Sequence, residues 1–563
     1  MRISVLLLVI IFPIIINAQA PSWQWAKSAG GTNSDVSRDI VTDKDGNVYV
    51  IGHFKSSSIT FGTTTLNNVS SSTDDMFIAK YDLSGNVLWA KKAGGSNGDF
   101  GLSVSVDDSG YVYVSGYFKS SSITFGSYTL NNPGTPYGTA FLVKYDGLGN
   151  VIWAKSSSNS PSSDTFQSVI TDSKGNVYVT GHFQSSSITF GATTLTNSNP
   201  SLMEPIVVKY DNLGNVVWAK NGLGNSHDRG YDVSVDTSGN VYFTGTFEST
   251  SVTFGNIILN NSGSQNEDVF VVKYDEFGNV LWAKSAGGSH EDFGFSVSVD
   301  NNENLYLAGY SRSSSITFGT NTLTNSGTPY GDLFIVKYNS LGNVLWAKKG
   351  LNTLSSDAFN SVYADNAGNV YATGHFQSNS ITFGSTTLTN SNSPNQEIVI
   401  VKYDSMGNEL WALNTSGLSN DVGKAIYSDN NGNLYVSGDF SSSSVNFGSI
   451  VLNNNGVGNG DIYIAKFENT SLGVHEQSIS SNIVNIYPNP TNSTITVNIE
   501  NKESVNGYKI EINNLLGQTV YTNSINSTNN SIDLSSLGNK GIYFVKVLDE
   551  NNNLIDVQKV IYH

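Results

Sequence analysis

The sequence has no cysteine among its 563 residues. Disulfide bonds and thiolate metal sites are therefore excluded, and stability must come from packing. Charged residues are scarce, at 13%, and 29 Lys and Arg against 46 Asp and Glu give a net charge of −17. Because phosphate recognition needs a basic surface, we expect no nucleic-acid partner. The 55 glycines instead indicate an all-β chain with many turns.

A long apolar run is found at the N-terminus only. Arg2 precedes an apolar stretch over residues 3–16, and Ala18 and Ala20 supply the small residues of a cleavage site. The pattern predicts a signal peptide over residues 1–20. An uncleaved anchor is the weaker alternative, because the stretch is shorter than the roughly 20 residues that span a bilayer.

Tryptophan marks an internal repeat of 64 or 65 residues, at Trp25, Trp89, Trp153, Trp218, Trp282, Trp346 and Trp411. Each unit carries four strand signals, which in the second unit are LSVSVD (102–107), YVYVSGYF (111–118), FLVKYD (141–146) and NVIWAK (150–155). Their length and their aromatic and β-branched content suit strands. Turns with Asp and Gly, such as the one at Gly149, join them, so each unit is predicted to be a four-stranded antiparallel meander.

The two ends of the repeat region are complementary. The seventh unit stops after its third strand signal (461–468), and an orphan fourth signal, SWQWAKS (22–28), precedes the first unit. We therefore predict a seven-bladed β-propeller over residues 21–468, closed by an N-terminal strand in the last blade. A linear solenoid is the alternative, but it gives no reason for the two truncations.

Two further patterns concern how the units arose and what they present. Units 193 residues apart are the most alike, which indicates duplication of a three-blade block. Every unit also inserts a segment such as SSSITFGTTTLNN (56–68), predicted to be a short hairpin on one rim and the surface that we expect to bind a partner. The units resemble the bacterial SBBP β-propeller repeat family over residues 22–468. That resemblance implies a fold and no particular reaction.

The C-terminal region departs from the repeat. Residues 469–482 are predicted to be a linker, and residues 483–563 a small β-sandwich. The region resembles the type A sorting domain of the type IX secretion system, through LGQ (516–518), GIYFVKV (541–547), the terminal Lys559-Val560 and the YPNP segment (487–490). A β-sandwich without a sorting role is the alternative. The resemblance implies that the outer-membrane type IX secretion machinery is a partner and that the protein is released or attached at the cell surface. The implied sorting-motif residues are Tyr487, Pro488, Asn489, Pro490, Gly517 and Gln518.

A ring of acids is the sharpest candidate site. An aspartate ends the first strand of every unit, at Asp43, Asp107, Asp172, Asp236, Asp300, Asp365 and Asp429. Gathered at one mouth of a channel, these carboxylates would be candidate ligands for Ca²⁺. The alternative, which we favour, is that each aspartate caps its own hairpin turn.

Two other repeated positions carry chemistry. A lysine recurs in every third strand, at Lys80, Lys144, Lys209, Lys273, Lys337, Lys402 and Lys466. These lysines could line a binding face for acidic glycans, but we favour a stem packed on the neighbouring strand with its charge in water. His53, His182 and His375 share one position, but three distant units make no metal site unless their side chains meet on the axis. No nucleophile, base and orienting group can be recognised together, so neither catalysis nor a cofactor is expected.

These observations predict an exported, monomeric, non-catalytic binding or adhesion scaffold for a glycan or a protein. The alternative is a secreted carbohydrate-active hydrolase or lyase on the propeller. It would need convergent, non-repeated acids at a glycosidase spacing of about 5 to 9.5 Å.

Overall fold

The computed structural model describes residues 22–70, 72–157, 163–197, 199–263, 266–325, 330–351, 353, 355–456, 458–468, 484–499, 505–514, 518–537, 540–550 and 554–563. The predicted signal peptide, the predicted linker and Gly517 lie outside these residues. Apart from one short 3₁₀ helix, the elements of the described chain are strands, so the all-β prediction is confirmed. No helix in this part of the chain has the length and hydropathy needed to cross a bilayer. Two compact units divide between residues 471 and 472.

The first unit contains seven four-stranded antiparallel sheets in its described residues, numbered here 1 to 7 along the chain. Their first strands are Asp35–Thr42, Asp99–Val106, Thr165–Thr171, Asp228–Val235, Asp292–Val299, Asp357–Ala364 and Asp421–Ser428. Their second strands are Val48–Phe54, Val112–Phe118, Val177–Phe183, Val241–Phe247, Leu305–Ser311, Val370–Phe376 and Asn433–Phe440. Their third strands are Asp75–Tyr81, Thr139–Tyr145, Glu204–Tyr210, Asp268–Tyr274, Asp332–Tyr338, Glu397–Tyr403 and Asp461–Glu468.

The fourth strands of sheets 1 to 6 are Val87–Ala93, Val151–Ser156, Val216–Asn221, Val280–Ala286, Val344–Lys349 and Glu409–Asn414. In sheet 7 this position is taken by the N-terminal strand Ser22–Ala29, which pairs antiparallel with Asp461–Glu468. Trp23 packs edge-on against Phe447 and Phe467 there, with ring centroids 4.9 and 4.7 Å away. The chain's first described strand thus completes the sheet begun by its last repeat.

A two-stranded hairpin follows the second strand of every sheet. The hairpins are Ser58–Phe61 with Thr64–Asn67, Ser122–Phe125 with Tyr128–Asn131, Ser187–Phe190 with Thr193–Thr196, Ser251–Phe254 with Ile257–Asn260, Ser315–Phe318 with Asn321–Thr324, Ser380–Phe383 with Thr386–Thr389, and Ser444–Phe447 with Ile450–Asn453. The phenylalanine of each is buried, so the insertion is anchored in the core.

Burial explains the strand patterns. The second and third strands are covered on both faces and read as near-continuous apolar runs, as in Val48–Phe54. The outer fourth strands, such as Val87–Ala93, alternate between covered and exposed residues. Tight turns join the strands: Gly149 has φ of 80° and donates its N–H to the carbonyl of Asp146. A left-handed conformation of this kind favours glycine.

Neighbouring sheets contact one another in chain order. The first strand of each sheet packs on the first strand of the next, and that of sheet 7 packs on that of sheet 1. Tryptophan and lysine add a polar clamp: Trp89 Nε1 and Lys80 Nζ in sheet 1 both donate to the carbonyl of Gly147 in sheet 2, each at 3.2 Å. Trp25, in sheet 7, makes the same contact with the carbonyl of Leu83 in sheet 1, at 3.0 Å.

The second unit has two sheets around one core. One sheet orders Val484–Tyr487, Thr494–Ile499 and Asn529–Asp533, and the other orders Thr519–Ile525, Tyr508–Asn514, Gly541–Leu548 and Leu554–Tyr562. The 3₁₀ helix Leu534–Leu537 links them. Buried residues of both sheets, including Val497, Ile512 and Val545, belong to a single apolar cluster.

Candidate functional site

The first strands of all seven sheets line one cavity of about 440 Å³. Its wall mixes aliphatic residues, such as Ile40 and Val104, with polar residues, such as Ser105 and Asn360. Because each first strand also packs on the next, the cavity lies where side chains from every repeat meet.

A β-bulge interrupts every first strand at the same position. In sheet 1 the register shifts between Ser37 and Asp39, and Arg38 is the extra residue. A bulge re-aims a side chain out of the regular alternation, and all seven bulged residues line the cavity. We call them the bulge ring; its members are Arg38, Leu102, Gln167, Tyr231, Phe295, Asn360 and Lys424.

The bulge ring contains seven different residue types, although the positions around it repeat. The position after the bulge, for example, is serine in Ser103, Ser168, Ser296 and Ser361. Units 193 residues apart also differ at the ring, where Arg38 aligns with Tyr231 and Leu102 with Phe295. Duplication of units would leave the same residue at each ring position, and the fold does not require different ones. Neither duplication nor the fold therefore explains the variation in residue type at the bulge ring.

The ring has a cationic sector and an aromatic sector. Lys424 and Arg38 lie on the adjacent sheets 7 and 1, and Arg38 is exposed. Tyr231 and Phe295 lie on sheets 4 and 5, with ring centroids 5.6 Å apart. Tyr310 packs beside Phe295 at 5.5 Å. The cavity therefore offers positive charge on one side and aromatic rings on another.

A second cavity of about 290 Å³ shares Arg38, Leu102 and Gln167 with the first. It adds Lys119 and His182 to the lining. The ammonium of Lys119 lies 5.9 Å from the centre of the Tyr117 ring, which also lines this cavity. Cationic and aromatic groups thus continue outward from the ring.

One repeat position in the second strands, at the end of the sheets that carries the bulge ring, has buried polar atoms without hydrogen bonds. They are His53 Nδ1, His182 Nδ1, Thr246 Oγ1, His375 Nδ1 and Asp439 Oδ1, judged against the described residues. Burial lowers the pKa of His182 to about 4 and that of His375 to about 3, so both are neutral near pH 7. The predicted histidines are not gathered into a metal site, since no group of three or more suitable side chains is found in the described chain.

Two aspartates in the cavity wall escaped the sequence analysis. Asp39 accepts hydrogen bonds from Ser103 Oγ at 2.7 Å and from the N–H of Val104 at 2.9 Å, both on sheet 2. Asp232 accepts from Ser168 Oγ at 2.7 Å and from Ser296 Oγ at 2.9 Å, on the two flanking sheets. Burial raises the pKa of Asp39 to about 7 and also raises that of Asp232. Alignment of the first strands reveals them, because other units have Ser or Ala there.

A second overlooked set is a buried aspartate at the start of each first strand. In sheet 1, Asp35 accepts from Ser56 Oγ at 2.7 Å and from the N–H of Gly31 at 2.8 Å. Burial raises the pKa of these carboxyls to about 6 or 7, in Asp35, Asp99, Asp164, Asp228, Asp292, Asp357 and Asp421. They tie the strand to the loop after the second strand.

The predicted aspartate ring lies at the other end of the first strands. Each member accepts from backbone N–H groups of its own turn; Asp107, for example, accepts from Ser109 and Tyr111, both at 2.9 Å. Each also accepts from a tyrosine hydroxyl, which for Asp107 is Tyr113 at 3.0 Å. The structure therefore places these carboxylates in separate turns, and the described residues include no metal-binding group formed from them.

The repeated lysines differ from their prediction. Six of the seven are buried, Lys466 being half-buried, so the expectation of a charge left in water is wrong. Lys337 Nζ donates to the carbonyl of Ser405 in the next sheet at 2.9 Å and lies 5.0 Å from the centre of the Tyr306 ring. These lysines hold adjacent sheets together rather than facing a ligand.

Among the described sorting-motif residues, Asn489 contacts the last strand of the second unit. Asn489 Nδ2 donates to the carbonyl of Lys559 at 2.6 Å, and Asn489 Oδ1 accepts from the N–H of Ile561 at 3.0 Å. Tyr487 is half exposed, and Gln518 accepts from and donates to Asn514. Asn489 thus ties its segment to the chain's last strand, whereas Gln518 bonds with the nearby Asn514.

Comparison with known families matches residues 485–563 to the secretion system C-terminal sorting domain and residues 24–53 to the beta-propeller repeat. Both predicted resemblances are confirmed. The sorting domain indicates export by the type IX system to the cell surface or the extracellular space, and it implies interaction with that machinery during export.

The curated relatives are similar to this chain over only part of their own length. The chain is 24% identical over 510 residues to the uncharacterized WD repeat-containing protein L264 of Acanthamoeba polyphaga mimivirus, covering 75% of this chain and 36% of that protein. It is 32% identical over 94 residues to ulvan lyase NLR42 of Nonlabens ulvanivorans, covering 17% of each. The chain therefore spans little more than a third of the length of these relatives, or less.

Solved structures with similar coordinates are Sqt1 from Chaetomium thermophilum and YCF48 bound to D1 peptide. Sqt1 has a TM-score of 0.38 and 8% identity, covering 77% of this chain and all of that one. YCF48 has a TM-score of 0.34 and 8% identity, covering 80% and 97%. Scores this low do not establish a shared architecture.

Proposed function

We propose that this chain is an exported binding scaffold, a closed seven-bladed propeller that takes a ligand at the bulge ring of its central cavity. The observation that carries the proposal is the set of seven β-bulges bearing seven different side chains. A repeat protein needs no such variety to fold, and ligand sites combine apolar or aromatic surface with polar groups, both of which this ring supplies.

Closure of the propeller has its own support. The first strand of sheet 7 packs on that of sheet 1, and Trp25 in sheet 7 donates to the carbonyl of Leu83 in sheet 1. That hydrogen bond has the geometry of the clamps between consecutive sheets, such as the one from Trp89 to Gly147. In a closed ring every sheet packs between two neighbouring sheets, so no terminal sheet is left uncovered.

The cavity is better supported than the hairpin rim favoured by the sequence analysis. Hairpin residues recur almost unchanged, with SITF in five of the seven first hairpin strands. The ligand class at this level is a glycan or a protein segment, and the sorting domain places it outside the cell.

A secreted carbohydrate-active enzyme is the second candidate, because of the similarity to an ulvan lyase. That alignment of 94 residues is too short to include the seven sheets. Three acids line the cavity wall, Asp39, Asp108 and Asp232, and Asp39 and Asp232 each already accept hydrogen bonds from serine and backbone donors. A carboxylate engaged in this way is poorly placed to exchange protons with a substrate, so binding is favoured over turnover.

The test is a glycan and peptide array probed with the mature chain, followed by a turnover assay on every bound compound. We expect binding without product release. Phe295→Ala, in the bulge ring, should weaken binding about tenfold or more, as loss of a central aromatic does. Tyr128→Ala, an exposed aromatic on a hairpin, is the matched control and should bind normally. Sensitivity to Tyr128→Ala alone would return the site to the rim, and product release would favour the enzyme.

A further inference from the structure

We infer that the ligand of the bulge ring is an acidic saccharide, with its carboxylate or sulfate held by Arg38, Lys424 and Lys119 and a sugar face against Tyr231 and Phe295. This inference rests on the proposed binding function. It concerns the charge and chemical class of what is bound.

The three cations have few charged partners within the protein. Arg38 has no hydrogen bond or ion pair with any described residue, and Lys119 Nζ has no carboxylate within 4 Å among them. Lys424 makes one loose contact, 3.8 Å from Asp439. Other arginines of the repeat region differ, since Arg229 lies 3.6 Å from Glu267.

The charge balance around these three cations favours an anionic ligand. The chain carries 46 acids against 29 basic residues, so a cluster of three cations is unusual in it. His53 adds no charge, because burial and the nearby Arg38 and Lys424 lower its pKa well below its usual value. Asp39 directly follows Arg38, but its carboxylate accepts hydrogen bonds from Ser103 and Val104. Burial raises the pKa of Asp439 and Asp74, although the cations oppose that rise. An anionic ligand would give Arg38 and Lys119 the ion-pair partner that neither has among the described residues.

The volume of the cavities and their aromatic side chains favour a saccharide over a protein partner. The two joined cavities hold about 440 and 290 Å³, which suits a few sugar units and not a folded domain. Across from the cations, Tyr231 and Phe295 line the cavity with their rings 5.6 Å apart. The electron-rich face of an aromatic ring attracts the C–H groups of a sugar face.

The experiment measures binding of the full mature chain to trigalacturonate, to its neutral methyl ester and to a sulfated trisaccharide of similar length. We expect at least one of the acidic probes to bind about tenfold or more tightly than the ester, with affinity falling as salt rises. The carboxylated and sulfated probes distinguish the two sources of charge. Arg38→Gln and Lys424→Gln should each remove most of that preference. Lys174→Gln makes the same change in net charge at an exposed turn and should not.

Equal binding of the acidic probes and the ester, unchanged by Arg38→Gln, would overturn the acidic class while leaving the binding scaffold intact. Capture of an acidic peptide through the same three cations, with no saccharide bound, would overturn the saccharide class. Absence of binding to every array ligand would refute the proposed function itself. Melting temperatures of the variants, expected within a few degrees of the parent, verify that each one is folded.

Discussion

Trp218 Nε1 and Lys209 Nζ donate hydrogen bonds to the same carbonyl oxygen, that of Glu276 in the next sheet, at 3.1 and 3.2 Å. One acceptor in a turn thus receives two donors from the neighbouring sheet. The arrangement recurs along the repeat and joins sheets that share no backbone ladder. It is a polar complement to the packing of first strands at the centre.

The contribution of the tryptophan hydrogen bond to stability can be tested by comparison with Trp153, a tryptophan that lacks this bond. Trp153 Nε1 is buried but has no hydrogen-bond partner among the described residues. Trp218→Phe and Trp153→Phe remove similar ring volume, yet only the first removes a hydrogen bond. We expect Trp218→Phe to lower the free energy of unfolding by about 1 kcal/mol more than Trp153→Phe. Urea denaturation of both variants measures the difference, and equal losses would show that the clamp contributes nothing.

Turn glycines divide into two classes by what surrounds them. A Cβ on Gly407 would lie 2.8 Å from the Trp346 ring, whereas one on Gly432 would meet nothing within 4 Å. Both have positive φ, at 80° and 78°. Gly432→Ala should therefore cost about 1 kcal/mol from backbone strain alone. Gly407→Ala should cost clearly more, because the tryptophan must move. Thermal unfolding compares the two, and an equal cost would mean that the ring yields freely.

The buried aspartates at the strand starts make stability depend on pH. Their folded-state pKa values, about 6 or 7, lie above the ordinary value of 3.8. The folded state therefore binds more protons between pH 4 and pH 7, and their stabilising contribution is lost as pH rises through this range. His182 and His375 act oppositely below pH 6.5, but they are fewer. We expect the melting temperature to fall from pH 5.5 to pH 8; a rise would contradict the assigned burial.

The N-terminal strand should be needed for a stable repeat region. A chain beginning at Gly30 leaves Asp461–Glu468 as an exposed edge and removes Trp23 from Phe447 and Phe467. Exposed edges recruit other strands, so we expect a lower melting temperature and self-association by light scattering. A synthetic peptide of residues 22–29 should restore the monomer. A truncated chain as stable as the parent would rule out the strand's closing role.

Export should depend on Asn489. Its side chain makes two hydrogen bonds to the last strand, to Lys559 and Ile561. Asn489→Ala removes both, and we expect the protein to accumulate inside the cell instead of in the medium or on the surface. Asn523→Ala, on the exposed strand Thr519–Ile525, is the control. Immunoblots of cell and medium fractions report the outcome, and equal export of both variants would place the signal elsewhere in the domain.

The strands and turns were predictable because their signals are local. Alternation within five to eight residues and a glycine such as Gly149 define each meander without reference to the rest of the chain. The bulge ring was not predictable in this way, since a shift between Ser37 and Asp39 has no signature inside one strand. The buried state of Lys337 likewise depends on the carbonyl of Ser405, which comes from the next sheet.

Pairing of the N-terminal strand with Asp461–Glu468 also sets an order of assembly. One member of the pair is made near the start of synthesis, and the other emerges only after six whole sheets. Until then, the growing chain is an open array with two free ends. The predicted leader ends at Ala20, two residues before Ser22, so its cleavage and the docking of this strand would concern neighbouring residues. Removal of the predicted leader would therefore occur beside the strand that completes sheet 7, which would link maturation of the N-terminus to completion of that sheet.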